Sequence, residues 1–261
     1  MGVLNITPDS FSDGGLFFEA QSAIDQAVLM VEQGADIIDI GGESTRPGAP
    51  EVSAEDELKR VLPVIEALSG NIDVPISIDT SKPVVMRRAF DAGASIINDV
   101  YALRSEGALE MAASLGADVC LMHMQGNPRT MQKNPKYDDV VSDVKIFFIE
   151  RLEACSGVGI KLESITLDPG FGFGKNLAHN IALLKNLAEF HDFGVSILAG
   201  LSRKSMIGSL LGDKEVDSRM IGSVTAALIA VENGANIIRA HDVAETKEAL
   251  TVWQQIKHFR E

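Results

Sequence analysis

The phrase Gly-Ala-Asp-Ile-Ile and its close variants recur along this chain, and they limit the fold more than any other feature. They stand as Gly34-Ala35-Asp36-Ile37-Ile38, Gly93-Ala94-Ser95-Ile96-Ile97, Gly116-Ala117-Asp118-Val119 and Gly234-Ala235-Asn236-Ile237-Ile238. Each follows a stretch of helical periodicity, such as Ala23, Ala27, Met30 and Val31 before Gly34, or Val224, Ala227, Leu228 and Val231 before Gly234. A glycine just past a helix adopts left-handed backbone without steric cost, and the β-branched residues beyond it begin a strand. The phrase is therefore a short helix-to-strand joint.

Extending that alternation predicts eight strands: Met1 to Asn5, Asp36 to Gly41, Val74 to Asp79, Ser95 to Val100, Asp118 to His123, Ser164 to Asp168, Val195 to Gly200 and Asn236 to His241. Amphipathic stretches separate them. Eight β/α units in 261 residues match a single (β/α)₈ TIM barrel, with an open doubly wound sheet as the rival architecture. No linker, charge block or low-complexity segment divides the chain, so residues 1–261 read as one domain.

Composition narrows the partners. With 46% hydrophobic residues the chain can bury a full core. A formal charge of −14 disfavours nucleic acid or an anionic membrane as a general partner, although a local cationic cluster can hold a small anion. Cys120 and Cys155 form neither a disulfide framework nor a metal-ligand spacing, which suits a reducing cytoplasm. No apolar run reaches membrane-spanning length, and the N-terminus lacks the basic lead and apolar core of a signal peptide.

In a barrel the chemistry gathers at the C-terminal ends of the strands, and here those ends are polar. They offer Asn5, then Glu43-Ser44-Thr45-Arg46, Asp79, Asn98-Asp99, His123, Asp168, Ser202-Arg203-Lys204, and finally Arg239 and His241. Individually such residues are most often caps and turns. Eight polar ends with complementary charges point to a common site. The seventh is the most telling, because Arg203 and Lys204 precede a helix whose start favours carboxylates, so something negative or electron-rich must offset them. Arg239 and His241, two residues apart, would point to one side of the last strand and grip a phosphate.

Two loops have the size and composition of lids. The first, Asn5 to Gly15, places Phe11 among hydroxyls, where a ring covering a ligand would explain it. The second, Gly41 to Pro50, pairs conformational freedom with Thr45 and the guanidinium of Arg46, which suits an anion or carboxylate clamp. A third run, Asp168-Pro169-Gly170-Phe171-Gly172-Phe173-Gly174-Lys175, invites a phosphate-loop reading but fails it. Pro169 replaces a required glycine and Asn176 the required Ser or Thr. Its glycines would instead let Phe173 lie beside a flat ligand whose edge meets Asp168. His123, His179, His191, His241 and His258 show no metal-binding spacing. The implied ligand is a flat polar heterocycle bearing a phosphate.

These motifs resemble the dihydropteroate synthase family. Met1 to Gly15, reading Met-Gly-Val-Leu-Asn-Ile-Thr-Pro-Asp-Ser-Phe-Ser-Asp-Gly-Gly, is similar to its first signature, and Asp39 to Gly48 to its second. Ile78-Asp79-Thr80, Ile97-Asn98-Asp99-Val100, Leu167 to Phe173, Leu201 to Ser205 and Arg239 to Val243 continue the pattern in order. One departure lies at the start: members usually carry residues ahead of the first signature, whereas Met1 here begins inside the first strand.

The resemblance implies a transferase of folate biosynthesis and a sulfonamide target. In its reaction p-aminobenzoate displaces the diphosphate of 6-hydroxymethyl-7,8-dihydropterin diphosphate to give 7,8-dihydropteroate. No obvious nucleophile or base is present, and a dissociative path needs none when Mg²⁺ and cations take the leaving charge. Carried over motif by motif, Asp79, Asn98, Asp168 and Lys204 hold the pterin edge, with Met122, Phe173 and Arg239 along its faces. Asn5 ligates Mg²⁺, and Asn5, Thr45, Arg239 and His241 take the diphosphate. Phe11, Thr45, Arg46, Pro47, Ser202 and Lys204 form the p-aminobenzoate pocket. Asp13, Arg46 and Lys204 are the catalytic set, Asp13 stabilising the cationic intermediate. The resemblance also implies a homodimer. Rival readings are a methyltetrahydrofolate methyltransferase on the same barrel, a Schiff-base aldolase using Lys204, and a non-catalytic pterin-binding relic.

Overall fold

A computed structural model of the chain describes residues 1–6, 15–44, 48–127 and 130–259. Strands and helices alternate: β1 (Gly2–Asn5), α1 (Gly15–Glu32), β2 (Ile38–Gly41), α2 (Ala54–Leu68), β3 (Ile76–Asp79), α3 (Pro83–Asp91), β4 (Ile96–Asp99) and α4 (Ala108–Leu115). They continue with β5 (Asp118–Met122), α5 (Val140–Gly157), β6 (Ile165–Asp168), α6 (Leu177–Lys185), β7 (Ser196–Ala199), α7 (Ser205–Leu210), α8 (Met220–Glu232), β8 (Ile237–Ile238) and α9 (Val243–Lys257).

All eight strands are parallel and hydrogen-bonded in sequence order. The sheet closes on itself where Gly2 bridges Ala240, with Val3 N–H donating to the Ala240 carbonyl at 3.0 Å and Ala240 N–H to the Met1 carbonyl at 3.0 Å. A doubly wound sheet would reverse its order at a switch point and leave two edges. The closed order rules that rival out and establishes the (β/α)₈ barrel.

Each expected strand is present, and each is trimmed at one or both ends. The largest correction is β8, expected to run to His241 and observed only over Ile237–Ile238. The side chain of Asn236 accepts the Ile197 N–H at 2.9 Å, taking the place of a ladder bond before the strand begins. The joints behave as expected, with φ of 93°, 120°, 63° and 104° at Gly34, Gly93, Gly116 and Gly234. At Gly93 the requirement is also steric, since a Cβ there would lie 2.2 Å from Ser69 Oγ.

The apolar core lies between the barrel and its helices. Ile38, Ile40, Ile78, Ile97, Leu121, Leu167 and Ile197 point outward from the strands and pack with Val61, Ile65, Met86 and Phe148 from the helices. Alternation then sends Asp39, Ser77 and Asn98 inward. A TIM barrel is usually filled by branched apolar side chains. In this chain the middle of the barrel carries a buried polar network, and that network sets the floor of the site.

Candidate active site

Asp39 is fully buried, and three side chains converge on it. Ser77 Oγ donates to its Oδ1 at 2.6 Å, and Asn98 Nδ2 and Arg239 Nε donate to its Oδ2 at 3.0 and 2.6 Å. Arg239 also donates through Nη2 to Asp79 Oδ2 at 2.9 Å. One guanidinium thus bridges two carboxylates, the deeper on β2 and the upper at the end of β3. Burial works against the charge of Arg239, but Asp39 and Asp79 outweigh it and raise its pKa further. Burial lifts Asp79 to about 7, opposed by Arg239 and reinforced by Asp39.

The register aligns the next tier. Asn5 pairs with Gly41, Gly41 with Asp79, and Asp79 with Asn98. A Cβ on Gly41 would lie 3.6 Å from Asn5 Oδ1 and 3.7 Å from Asp79 Oδ2, so both oxygens face one point above that glycine. Across the barrel, a Cβ on Gly200 would lie 3.9 Å from Lys204 Nζ, 4.0 Å from Arg239 Cβ and 4.0 Å from Asp168 Oδ2. Gly200 therefore floors a space walled by the Asp168 carboxylate, the Lys204 ammonium and the aliphatic stem of Arg239.

Burial raises the pKa of Asp168, with Lys204 opposing; its Oδ1 accepts the Gly170 N–H at 2.8 Å. Lys204 donates to the Phe171 carbonyl, and its ammonium stands 4.6 Å from the centroid of the Phe173 ring. Burial lowers Lys204 to about 8, against the pull of Asp168. Phe173 and Tyr101 pack against the cluster of Met122, Val100, Met124 and Met131, an apolar wall beside the charged groups. A flat heterocycle with hydrogen-bond donors on one edge fits such a hollow.

The electrostatic conflict at Arg203-Lys204 resolves in two directions. Arg203, at φ 58°, turns outward and binds Asp242, Nε to Oδ2 at 3.1 Å and Nη2 to Oδ1 at 2.5 Å. Lys204 turns inward as the cap of α7. Ser202 accepts the His241 N–H at 3.1 Å and lies 3.0 Å from its Nδ1, which brings the ends of β7 and β8 together. His241 is beyond β8, so its direction comes from this turn and not from strand alternation.

Asn5, Asp79, Asn98, Met122, Asp168, Phe173, Ser202, Lys204, Arg239 and His241 thus gather at one end of the barrel. Phe11, Asp13, Thr45, Arg46 and Pro47 lie outside the described residues. Two of the polar strand ends are structural. Asp99 accepts the Tyr101 and Leu103 N–H groups, each at 2.8 Å, and shapes the turn after β4. His123 is buried against Lys175, and burial with that cation lowers its pKa to about 2, so it stays neutral. Sequence reasoning missed Asp39, which sits between two isoleucines and looks like any inward position of a strand. A carboxylate flanked by Ile38 and Ile40 was the available signal.

The chain matches the family described as "Pterin binding enzyme" over residues 1–241. It is 58% identical over 254 residues to the dihydropteroate synthase of Escherichia coli strain K12, covering 97% of this chain and 89% of that protein. Among solved structures, the Xanthomonas albilineans dihydropteroate synthase with 4-aminobenzoic acid superposes with a TM-score of 0.94 at 50% identity, covering 100% of this chain and 93% of the other. The Yersinia pestis dihydropteroate synthase in a sulfonamide drug complex gives 0.94 at 52% identity, with coverage of 99% and 94%. Identity at that level across nearly the full length, on a barrel whose strand ends converge as described, means that the chain belongs to the dihydropteroate synthase family.

Proposed function

We propose that this chain joins 6-hydroxymethyl-7,8-dihydropterin diphosphate to p-aminobenzoate, releasing diphosphate and forming 7,8-dihydropteroate. The observation that carries the reading is the meeting of Asp168, Lys204 and Arg239 around Gly200 beside the Met122 and Phe173 wall. Asp168 and Asp79 receive the donor edge of the pterin. Asn98 gives one Nδ2–H to Asp39, and its Oδ1 is left to accept from a ligand. Phe173 and Met122 cover one face, and the aliphatic stem of Arg239 supports the other.

In the reaction the bond from the pterin methylene carbon to the diphosphate oxygen breaks, and its electron pair leaves with the diphosphate. The ring nitrogens share the resulting positive charge. The amine lone pair then forms the new carbon–nitrogen bond, and the amine gives up a proton to water. Asn5, Arg239 and His241 take the departing negative charge, a role that Thr45 shares. Asp13 balances the cation, while Phe11, Arg46, Pro47 and Ser202 seat the p-aminobenzoate. Pre-placed charge and orientation supply the catalysis.

Magnesium neutralises leaving charge as a Lewis acid when bound with the diphosphate, and Asn5 Oδ1 would hold it here. Among the described residues no three His, Cys, Asp or Glu side chains form a cage for a metal. Magnesium commonly keeps few protein ligands and shares the rest between water and substrate phosphates, so the Asn5 Oδ1 that faces the space above Gly41 fits it. Excess chelator is expected to abolish diphosphate release, and an unchanged rate would remove the metal from the scheme.

Lys204 gives a pH dependence with a definite sign. Its ammonium is present below about 8 and lost above, so the KM for the pterin diphosphate should rise as pH increases through that value. A flat KM across that range would show that its charge does not serve binding. We further propose a single cytoplasmic domain that pairs as a homodimer. Free, buried Cys120 and Cys155 suit a reducing compartment, and α8 exposes Ile221 and Ile229 to a partner copy. The decisive assay measures diphosphate release and asks whether it requires both substrates. Release without p-aminobenzoate, or none with both present, would overturn the reading.

A further inference from the structure

The run from Gly170 to Lys175 has the glycines of an anion-binding turn and the opposite polarity. Gly170, Gly172 and Gly174 have φ of 70°, 80° and 62°, and what the turn gathers inward is carbonyl oxygen. The carbonyls of Gly170, Phe173 and His123 lie 2.9, 3.0 and 3.3 Å from a single atom, Lys175 Nζ. His123 Nδ1 completes the set at 2.9 Å. Lys175 is 3% exposed, and burial pushes its pKa well down; Asp168 opposes that, and four acceptors around one Nζ call for the three N–H donors of the charged form. Successive N–H groups in such turns cradle anions; here oxygens cradle an ammonium supplied by the loop's own last residue.

The fit is close enough to forbid side chains at its corners. A Cβ on Gly170 would stand 1.9 Å from the His123 carbonyl oxygen, and one on Gly174 would stand 2.7 Å from that of Gln125. The loop is thus pressed onto the chain leaving β5. For His123 Nδ1 to accept from the ammonium, its ring proton must sit on Nε2, consistent with a histidine held neutral by burial and by that cation.

From this loop two groups reach the site. The Phe171 carbonyl receives Lys204 Nζ, and the Phe173 ring lies beneath the same ammonium. Tyr137 Oη and the Asn180 side chain brace the loop from outside, donating to the Gly174 carbonyl at 2.8 Å and accepting the Gly172 N–H at 2.7 Å. Without Lys175, three carbonyls that face one another would repel.

We propose that Lys175 is a positioning residue of the pterin pocket, its caged ammonium fixing the loop so that the Phe171 carbonyl and the Phe173 ring set Lys204 in place. The inference rests on the pterin reading above and adds a residue whose charged end is turned into the loop.

Lys175→Met keeps the stem and removes the ammonium. Its KM for the pterin diphosphate should rise about tenfold or more with a smaller change in kcat, and amide exchange over 169–175 should quicken. Lys175→Gln, which retains two N–H donors, should fall between that variant and the native chain, and it replaces the methionine variant if that one does not fold. In Lys175→Ala, methylammonium should restore the KM in a saturable way, whereas tetramethylammonium, equally charged but without N–H donors, should not. Native KM and native exchange in the variants, or equal action of the two cations, would overturn the proposal. A native chain without diphosphate release would count against the reaction, while loop exchange and its response to methylammonium test the lysine separately.

Discussion

Asp168→Asn is expected to weaken pterin binding by about 100-fold while leaving the fold intact. The carboxylate is buried and faces the space above Gly200, where the pterin presents hydrogen-bond donors. An asparagine there keeps one acceptor and turns a second donor toward the ligand's own. Losing one charge-assisted hydrogen bond and opposing another costs about 3 kcal/mol, which is that factor in affinity. The turn survives because Oδ1, which accepts the Gly170 N–H, has a counterpart in the amide. Titration of a pterin ligand, with a thermal melt alongside, separates the two effects. Affinity near that of the native chain would exclude Asp168 from the pterin edge.

A second large effect is expected on stability. Arg239→Met removes the cation that Asp39 faces at 2.6 Å, and Asp39 has no access to water. Breaking a buried ion pair by deleting one partner costs about 3 to 5 kcal/mol, because the remaining charge is stranded. Asp39→Asn in the same chain should recover part of that loss, since it removes the stranded charge and keeps an acceptor for Ser77. Urea denaturation of the single and double variants gives both numbers. Losses that simply add would show that the two residues are not energetically coupled.

These two residues also mark what could be read from sequence. The strands were legible because Gly-Ala joints punctuate the chain, and their polar ends were legible because the barrel rule says where to look. Asp168 and Lys204 came out of that reading directly. Asp39 did not, because its meaning depends on partners 38, 59 and 200 positions away in the chain, Ser77, Asn98 and Arg239. Lys175 was visible only as the lysine of a phosphate motif that failed. Whether a glycine-rich turn directs N–H groups or carbonyls inward depends on φ and ψ at each residue, which composition does not report. His241 was aimed by strand alternation at a place where the strand had ended, so its direction had to come from Ser202.

The seam at Gly2 and Ala240 has a consequence for how the protein is made. Ala240 lies between Arg239 and His241, so the last ribbon to be synthesised both shuts the ring and delivers two of its working side chains. Asn5, on the first ribbon of the ring, waits for neighbours that lie more than two hundred residues further along the chain. A nascent chain interrupted before that final ribbon would hold seven ribbons with raw margins and an Asp39 lacking its counter-charge. Substrate recognition is thereby tied to completion of the ring.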